Sequence, residues 1–239
     1  MKIITPLALS LLAAGQLLAA DTNTTDQVKT AVTKLKDQPN YSWTTTQAMP
    51  GMPFTPEPLH GKTGSDGLAL VTQNFNDNTT QVAFKGDKIA VLADNQWQAV
   101  ATNQDAGDMG NFPMMIARML AGSGTAATEA ETLLGRVKEL KAGDDGLWSG
   151  DLTDKGVAGL LSFGPRPGGD TGVKDGKGTV KFWVKDGVLV KFESHAEGRV
   201  PGPDQNEQDM NMTRTTEISD AGKTQVEIPE AAKKILAGN

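Results

Sequence analysis

The polar and apolar positions of this chain change period along its length, and each change predicts an element. Val28, Ala31, Val32 and Leu35 recur at helical spacing behind Thr25-Asp26, which predicts a short amphipathic helix over 25–35. Pro39-Asn40 stops it. Tyr41-Ser42-Trp43-Thr44-Thr45-Thr46 then has the β-branched and aromatic character of a strand. Prolines at 50, 53, 56 and 58 exclude helix and central strand, so a loop or extended edge is expected there.

From Leu59 to Ala101 the pattern becomes short alternating runs, at 68–75, 79–85, 88–93 and 96–101. Asn76-Asp77-Asn78, Gly86-Asp87 and Asp94-Asn95 separate them with turn chemistry, and an antiparallel meander follows. Helical text interrupts it at Phe112–Leu120 and Thr128–Leu134, the second opening on a capping box, Thr128-x-x-Glu131. Strands are expected at 137–141 and 146–150, and a capped helical turn over Leu152–Leu161.

A glycine-rich loop, 164–178, leads into a hairpin of 179–185 and 188–193 around Asp186-Gly187, a pair suited to a type I′ turn. Strand alternation places Val180, Phe182 and Val184 on one face and Lys181, Trp183 and Lys185 on the other. A strand over 211–219 and a helix over 230–236 end the chain. The expected fold class is α+β: one strongly curved antiparallel sheet of roughly eight to ten strands, a half-open barrel, with a few helices lidding one face.

The first residues belong to none of these elements. Met1-Lys2, an apolar stretch to Ala14 and Leu17-Leu18-Ala19-Ala20 before Asp21 have the form of a secretory signal peptide cleaved after Ala20. Its apolar part, interrupted by Gly15-Gln16, falls short of the ~20 residues of a membrane span. Residues 21–239 are therefore expected to form a single exported domain, periplasmic or extracellular. The chain has no cysteine, which removes disulfides, thiolate metal sites and a lipid-bearing cysteine.

Charge and composition narrow the function further. There are 23 Lys and Arg against 29 Asp and Glu, a formal net charge of −6, and loss of Lys2 with the leader makes the remainder more negative. Without a dense basic patch, nucleic acid is excluded as a partner, because its binding rests on neutralising phosphates. The 2 histidines, His60 and His195, have no carboxylate or imidazole partner at i+4 and lie on expected strands, so neither catalysis nor metal binding is assigned to them.

Ser162 lacks the first glycine of a G-x-S-x-G elbow because Leu160 stands there. The stretches 61–67 and 172–178 lack the Walker spacing, and Asp144-Asp145 and 204–209 lack the calcium-loop series. Sequons begin at Asn23, Asn40, Asn78 and Asn211. No enzyme activity, cofactor or metal is expected, and the chain is expected to be a monomer. Methionine is the remaining feature. Met114, Met115 and Met119 share a helix with Phe112 and Ile116, and Met49, Met52 and Phe54 lie in the proline-rich loop. Thioethers suit both core packing and adaptable apolar surfaces.

Four stretches together resemble the LolA/LppX-like superfamily of exported lipid and lipoprotein carriers. They are the leading helix with Tyr41-Ser42-Trp43, the meander ending in Gly86-Asp87-Lys88-Ile89 and Gln96-Trp97, the hairpin from Gly178 to Gly187, and Thr216-Glu217-Ile218-Ser219 to Val226-Glu227-Ile228-Pro229. The resemblance implies a half-open antiparallel barrel lidded by helices around an apolar cavity, and, with no cysteine, a soluble carrier. The partner it implies is a lipid, acyl chain or lipoprotein. A cavity in such a fold would be lined by Trp43, Val82, Phe84, Met115, Met119, Phe182 and Val190. The alternative is an envelope structural or protein-interaction module whose core is filled and holds no ligand.

Overall fold

The computed structural model describes residues 24–51, 55–64, 66–75, 78–101, 112–162, 172–202 and 206–238. The leader, the Asn23 sequon, Met52, Phe54 and most of the glycine-rich loop lie outside these residues.

Helix α1 (Thr24–Lys36) is followed by six strands: β1 (Tyr41–Ala48), β2 (Leu59–Thr63), β3 (Leu68–Phe75), β4 (Asn78–Lys85), β5 (Lys88–Ala93) and β6 (Gln96–Val100). Helices α2 (Phe112–Ser123) and α3 (Ala126–Leu134) come next. After them the chain forms β7 (Lys141–Ala142), β8 (Leu147–Asp151), α4 (Asp154–Leu161), β9 (Lys174–Lys185), β10 (Val188–Pro201), β11 (Glu207–Ser219) and α5 (Glu230–Ala237).

All the described strands join one antiparallel sheet, in the order β6-β5-β4-β3-β2-β1-β11-β10-β9-β8-β7. The order explains where the helices sit. The first six strands are laid down from the centre to one edge by successive hairpins, and the last five from the other edge back to the centre. The connection from β6 to β7 therefore has to cross the whole sheet, and α2 and α3 lie within it. The halves meet where β1 pairs with β11, with Trp43 opposite Ile218 and Thr45 opposite Thr216.

The pairing register carries one face through every strand. Trp43, Gly61, Val71, Val82 and Val91 form one continuous row of partners from β1 to β5. On the other side of β1 the same face bears Thr216, Phe192, Phe182 and Trp148. Helices α1 to α4 supply buried residues to this face, among them Val28, Leu35, Ala117, Leu120, Ala130, Leu133, Val157 and Leu161. This is the covered face of the sheet.

Helix α5 packs elsewhere. Ile228, Ala232 and Leu236 bury Ala83 and Ala90 on the reverse of β4 and β5, with Leu68, Leu70 and Trp97 around them. The apolar residues on the reverse of the meander thus have a partner of their own, and β4 and β5 are covered on both sides.

Turn chemistry sets the hairpins. Asp186 and Gly187 have φ of 52° and 74°, and Asp94 and Asn95 have 50° and 61°, the positive values that a type I′ turn needs. The expected strand over 137–141 is reduced to a single bridge, Val137 to Leu152, before the two-residue β7. Here the chain is caught by single hydrogen bonds, Lys138 N to Asp151 O and Thr153 N to Arg136 O, both at 2.8 Å, instead of a ladder.

The expected glycine-rich loop, by contrast, is strand from Lys174 onward. Its glycines make room for a helix. A Cβ on Gly178 would stand 3.1 Å from side chains of both Leu152 and Val157, and one on Gly176 would stand 2.9 Å from Val157. Helix α4 therefore sits directly on the backbone of β9.

Candidate functional site

The covered face is apolar except at its centre. Over β4, β5 and β6, Ala117 and Leu120 of α2 join one buried cluster with Val82, Phe84, Ile89, Val91 and Val100. Met114 and Ile116 pack on this cluster half-buried. One turn apart on the same helix, Met115 and Met119 remain 41% and 56% exposed. A helix that buries small residues and presents thioethers outward leaves an apolar margin over an apolar wall.

The seven residues expected to line a cavity are placed as follows. Trp43, Val82, Phe84 and Phe182 are all buried on the covered face, at 3%, 0%, 7% and 0% exposure. Met115 and Met119 lie at the outer margin of α2. Val190 is half-buried and belongs to neither apolar cluster. The register of β9 and β10 slips between Leu189 and Lys191, so Val190 has no partner across the ladder and Leu189 is the residue that is fully buried. The set therefore forms a wall, a margin and one bulge residue.

The centre of this face is polar, and no motif in the sequence announces it. Thr45 and Thr216 share a hydrogen bond of 2.8 Å between buried hydroxyls. Next to them on β11, Arg214 reaches Glu129 of α3, with Nε to Oε1 at 2.7 Å and Nη2 to Oε2 at 3.4 Å. Both side chains are largely enclosed, 19% and 17% exposed. Across the ladders Arg214 stands opposite Gln47 and the buried Ser194. Gln47 donates from Nε2 to the Met49 sulfur at 3.0 Å. The signal was present in strand parity: Met210, Met212, Arg214, Thr216 and Ile218 alternate along β11, and an arginine at an apolar parity is the departure.

Helix α3 is held to the sheet a second time by Tyr41. Its phenol is buried, and the Ala127 N–H donates to its oxygen at 3.2 Å. Burial raises the phenol's pKa above the ordinary tyrosine value, partly offset by hydrogen bonds to Thr125 and Ala127. Tyr41→Phe leaves that helix N–H unsatisfied, and a loss of about 1 kcal/mol in denaturant unfolding is expected.

Both histidines lie on the reverse face. His60 Nδ1 is 3.1 Å from the Thr44 hydroxyl, and His195 Nδ1 is 3.0 Å from that of Thr213. Among the described residues there is no group of three His, Asp or Glu placed to hold a metal ion. No described helix is long and apolar enough to cross a membrane. The clefts near β8 and β9, of about 380 and 440 Å³, are lined mainly by polar residues such as Lys138, Asp151, Thr179 and Lys181.

Among the described residues, the class that these features define is an open, eleven-stranded antiparallel sheet with four helices over one face and one on the reverse. Several solved structures are similar to the chain, among them the following. LprF from Mycobacterium bovis matches with a TM-score of 0.45 and 12% identity, covering 87% of this chain and 97% of that one. The lipoprotein LppX of Mycobacterium tuberculosis matches with a TM-score of 0.46 and 12% identity, covering 87% of this chain and 100% of that one. A LolA superfamily protein from Nitrosomonas europaea matches with a TM-score of 0.33 and 11% identity, covering 86% of this chain and 95% of that one. No family model matches, and no curated protein matches.

Proposed function

We propose that this is an exported, non-enzymatic binding protein that shelters an apolar ligand, a lipid or acyl chain, in the cell envelope. The leader over residues 1–20 directs export and is removed. The observation that carries the reading is the margin of α2, where Met115 and Met119 stand exposed above the apolar wall of β4 to β6. An acyl chain entering beside this helix exchanges water for thioether and aliphatic contacts at both surfaces.

The test is native mass spectrometry of the protein purified from its own compartment, followed by organic extraction. Stoichiometric lipid supports the reading. A clean apo mass with no uptake of a fluorescent lipid overturns it, in favour of an envelope interaction module with a filled core. That second reading draws on the complete burial of Val82 and Phe182.

Met119→Glu separates binding from folding. At 56% exposure the substitution lies outside the core, so its effect on stability is expected within about 0.5 kcal/mol. A carboxylate at the margin must be desolvated when a lipid docks, and uptake is expected to fall about tenfold. Unchanged uptake removes α2 from the binding site.

A further inference from the structure

The polar centre of the covered face bears on which amphiphile the protein takes, given the carrier reading above. We propose that the ligand has an anionic head group, a carboxylate or phosphate, and that Arg214 binds it in place of Glu129.

Three observations carry this. First, Arg214 is a charge on an otherwise apolar and hydroxyl-bearing face, between Met212 and Thr216 of β11. Arginine presents a planar fork that matches carboxylate and phosphate oxygens, and Glu129 already occupies the fork with both of its oxygens. The Glu129 carboxylate thus marks the position of a ligand head.

Second, Glu129 has a favourable place of its own, apart from its pairing with Arg214. It lies in the first turn of α3, where the helix dipole favours a negative charge whether or not arginine is paired with it. Its side chain is 17% exposed, enclosed by the helix but not fully sealed from water. Ala126, Ala127, Ala130 and Leu133 hold α3 in place independently.

Third, the surroundings are amphipathic in the right order. Met212 and Met210 continue from Arg214 on the same face, Met49 lies just beyond the end of β1 within reach of Gln47, and Ser194 on β10 faces the arginine across the ladder. Head-group oxygens meet Arg214, and the first methylenes meet adaptable thioethers.

The experiment uses delipidated full-length mature protein and three probes with the same sixteen-carbon chain: palmitate, hexadecyl phosphate and hexadecanol. Titration calorimetry is expected to show both anions bound more tightly than the alcohol, and the ratio of palmitate to hexadecyl phosphate identifies which head the site prefers. Glu129→Gln removes the internal competitor and keeps the side-chain shape. It is expected to tighten palmitate about tenfold and leave hexadecanol unchanged. Arg214→Gln is expected to abolish the preference for anions, and Arg214→Lys to retain part of it.

Equal binding of all three probes, or a Glu129→Gln variant that shifts acid and alcohol alike, overturns the head-group assignment and leaves the carrier reading standing. Binding of none of them overturns both. Circular dichroism of each variant separates a lost preference from a lost fold, and Glu129→Gln carries the test alone if the arginine variants unfold.

Discussion

Replacing Phe182 by alanine is expected to destabilise the protein by about 3–5 kcal/mol, a large part of the stability of a domain of this size. The side chain is fully buried in the β9–β10 hairpin, opposite Phe192 on β10 and Trp148 on β8. Its ring centroid lies 6.5 Å from that of Phe192, tilted by 37°. Both neighbours are held by backbone ladders, so the wall cannot close over the missing ring, and the cavity adds to the lost transfer energy.

Guanidinium unfolding measures the effect, and Val190→Ala serves as its counterpart. Val190 sits on the bulge, half-buried and outside both clusters, so a cost well under that of Phe182 is expected, about 1 kcal/mol. If the two substitutions cost the same, the bulge does not turn Val190 away from the core. Loss of lipid uptake in Phe182→Ala, taken alone, reports folding and says nothing about the binding site.

The contrast between these two residues shows what was legible in the sequence. Period-two alternation locates strands and their faces, and Val180, Phe182 and Val184 are on the face expected of them. Turn pairs such as Asp186-Gly187 fix hairpins because few residues tolerate positive φ. A bulge has no such local signature. It reverses parity by one residue, and that reversal is settled by which of Leu189 and Val190 the neighbouring strand and α1 accommodate.

Long-range closeness was equally illegible. Gly176 and Gly178 read as loop because glycine usually signals freedom, yet here they are strand residues stripped of side chains so that Val157 can approach. The position of α5 on the reverse face depends on Ala83 and Ala90, whose small side chains read as unremarkable strand text until a helix covers them. The pairing of Arg214 with Glu129 spans 85 residues of sequence, and no local pattern joins them.

Gly61→Ala is the substitution in which such closeness has the largest expected consequence. Gly61 stands opposite Trp43 in the β1–β2 ladder, and the indole of Trp43 lies across it on the covered face. An added Cβ would overlap the six-membered ring of that indole at Cε2 and Cζ2. Glycine here is not serving a turn, since its backbone is ordinary strand; it is the seat of the tryptophan.

Either the strand pair opens or Trp43 leaves its seat, where it is 3% exposed and packs 5.8 Å from the ring of Tyr41. Tyr41 in turn supports the first turn of α3 through Ala127, so the disturbance reaches the helix that carries Glu129. A loss of about 3 kcal/mol is expected, from overpacking together with part of the indole's burial.

A double-mutant cycle decides whether the clash is the cause. In a Trp43→Ala background the added methyl group meets open space, and the cost of Gly61→Ala is expected to fall by about 2 kcal/mol or more. An additive cycle would place the penalty in the backbone of β2 instead. The same cycle read by palmitate titration tests the chain of contacts from Gly61 through Trp43 and Tyr41 to α3, because a shifted α3 moves Glu129 relative to Arg214 and changes the anion preference along with the stability.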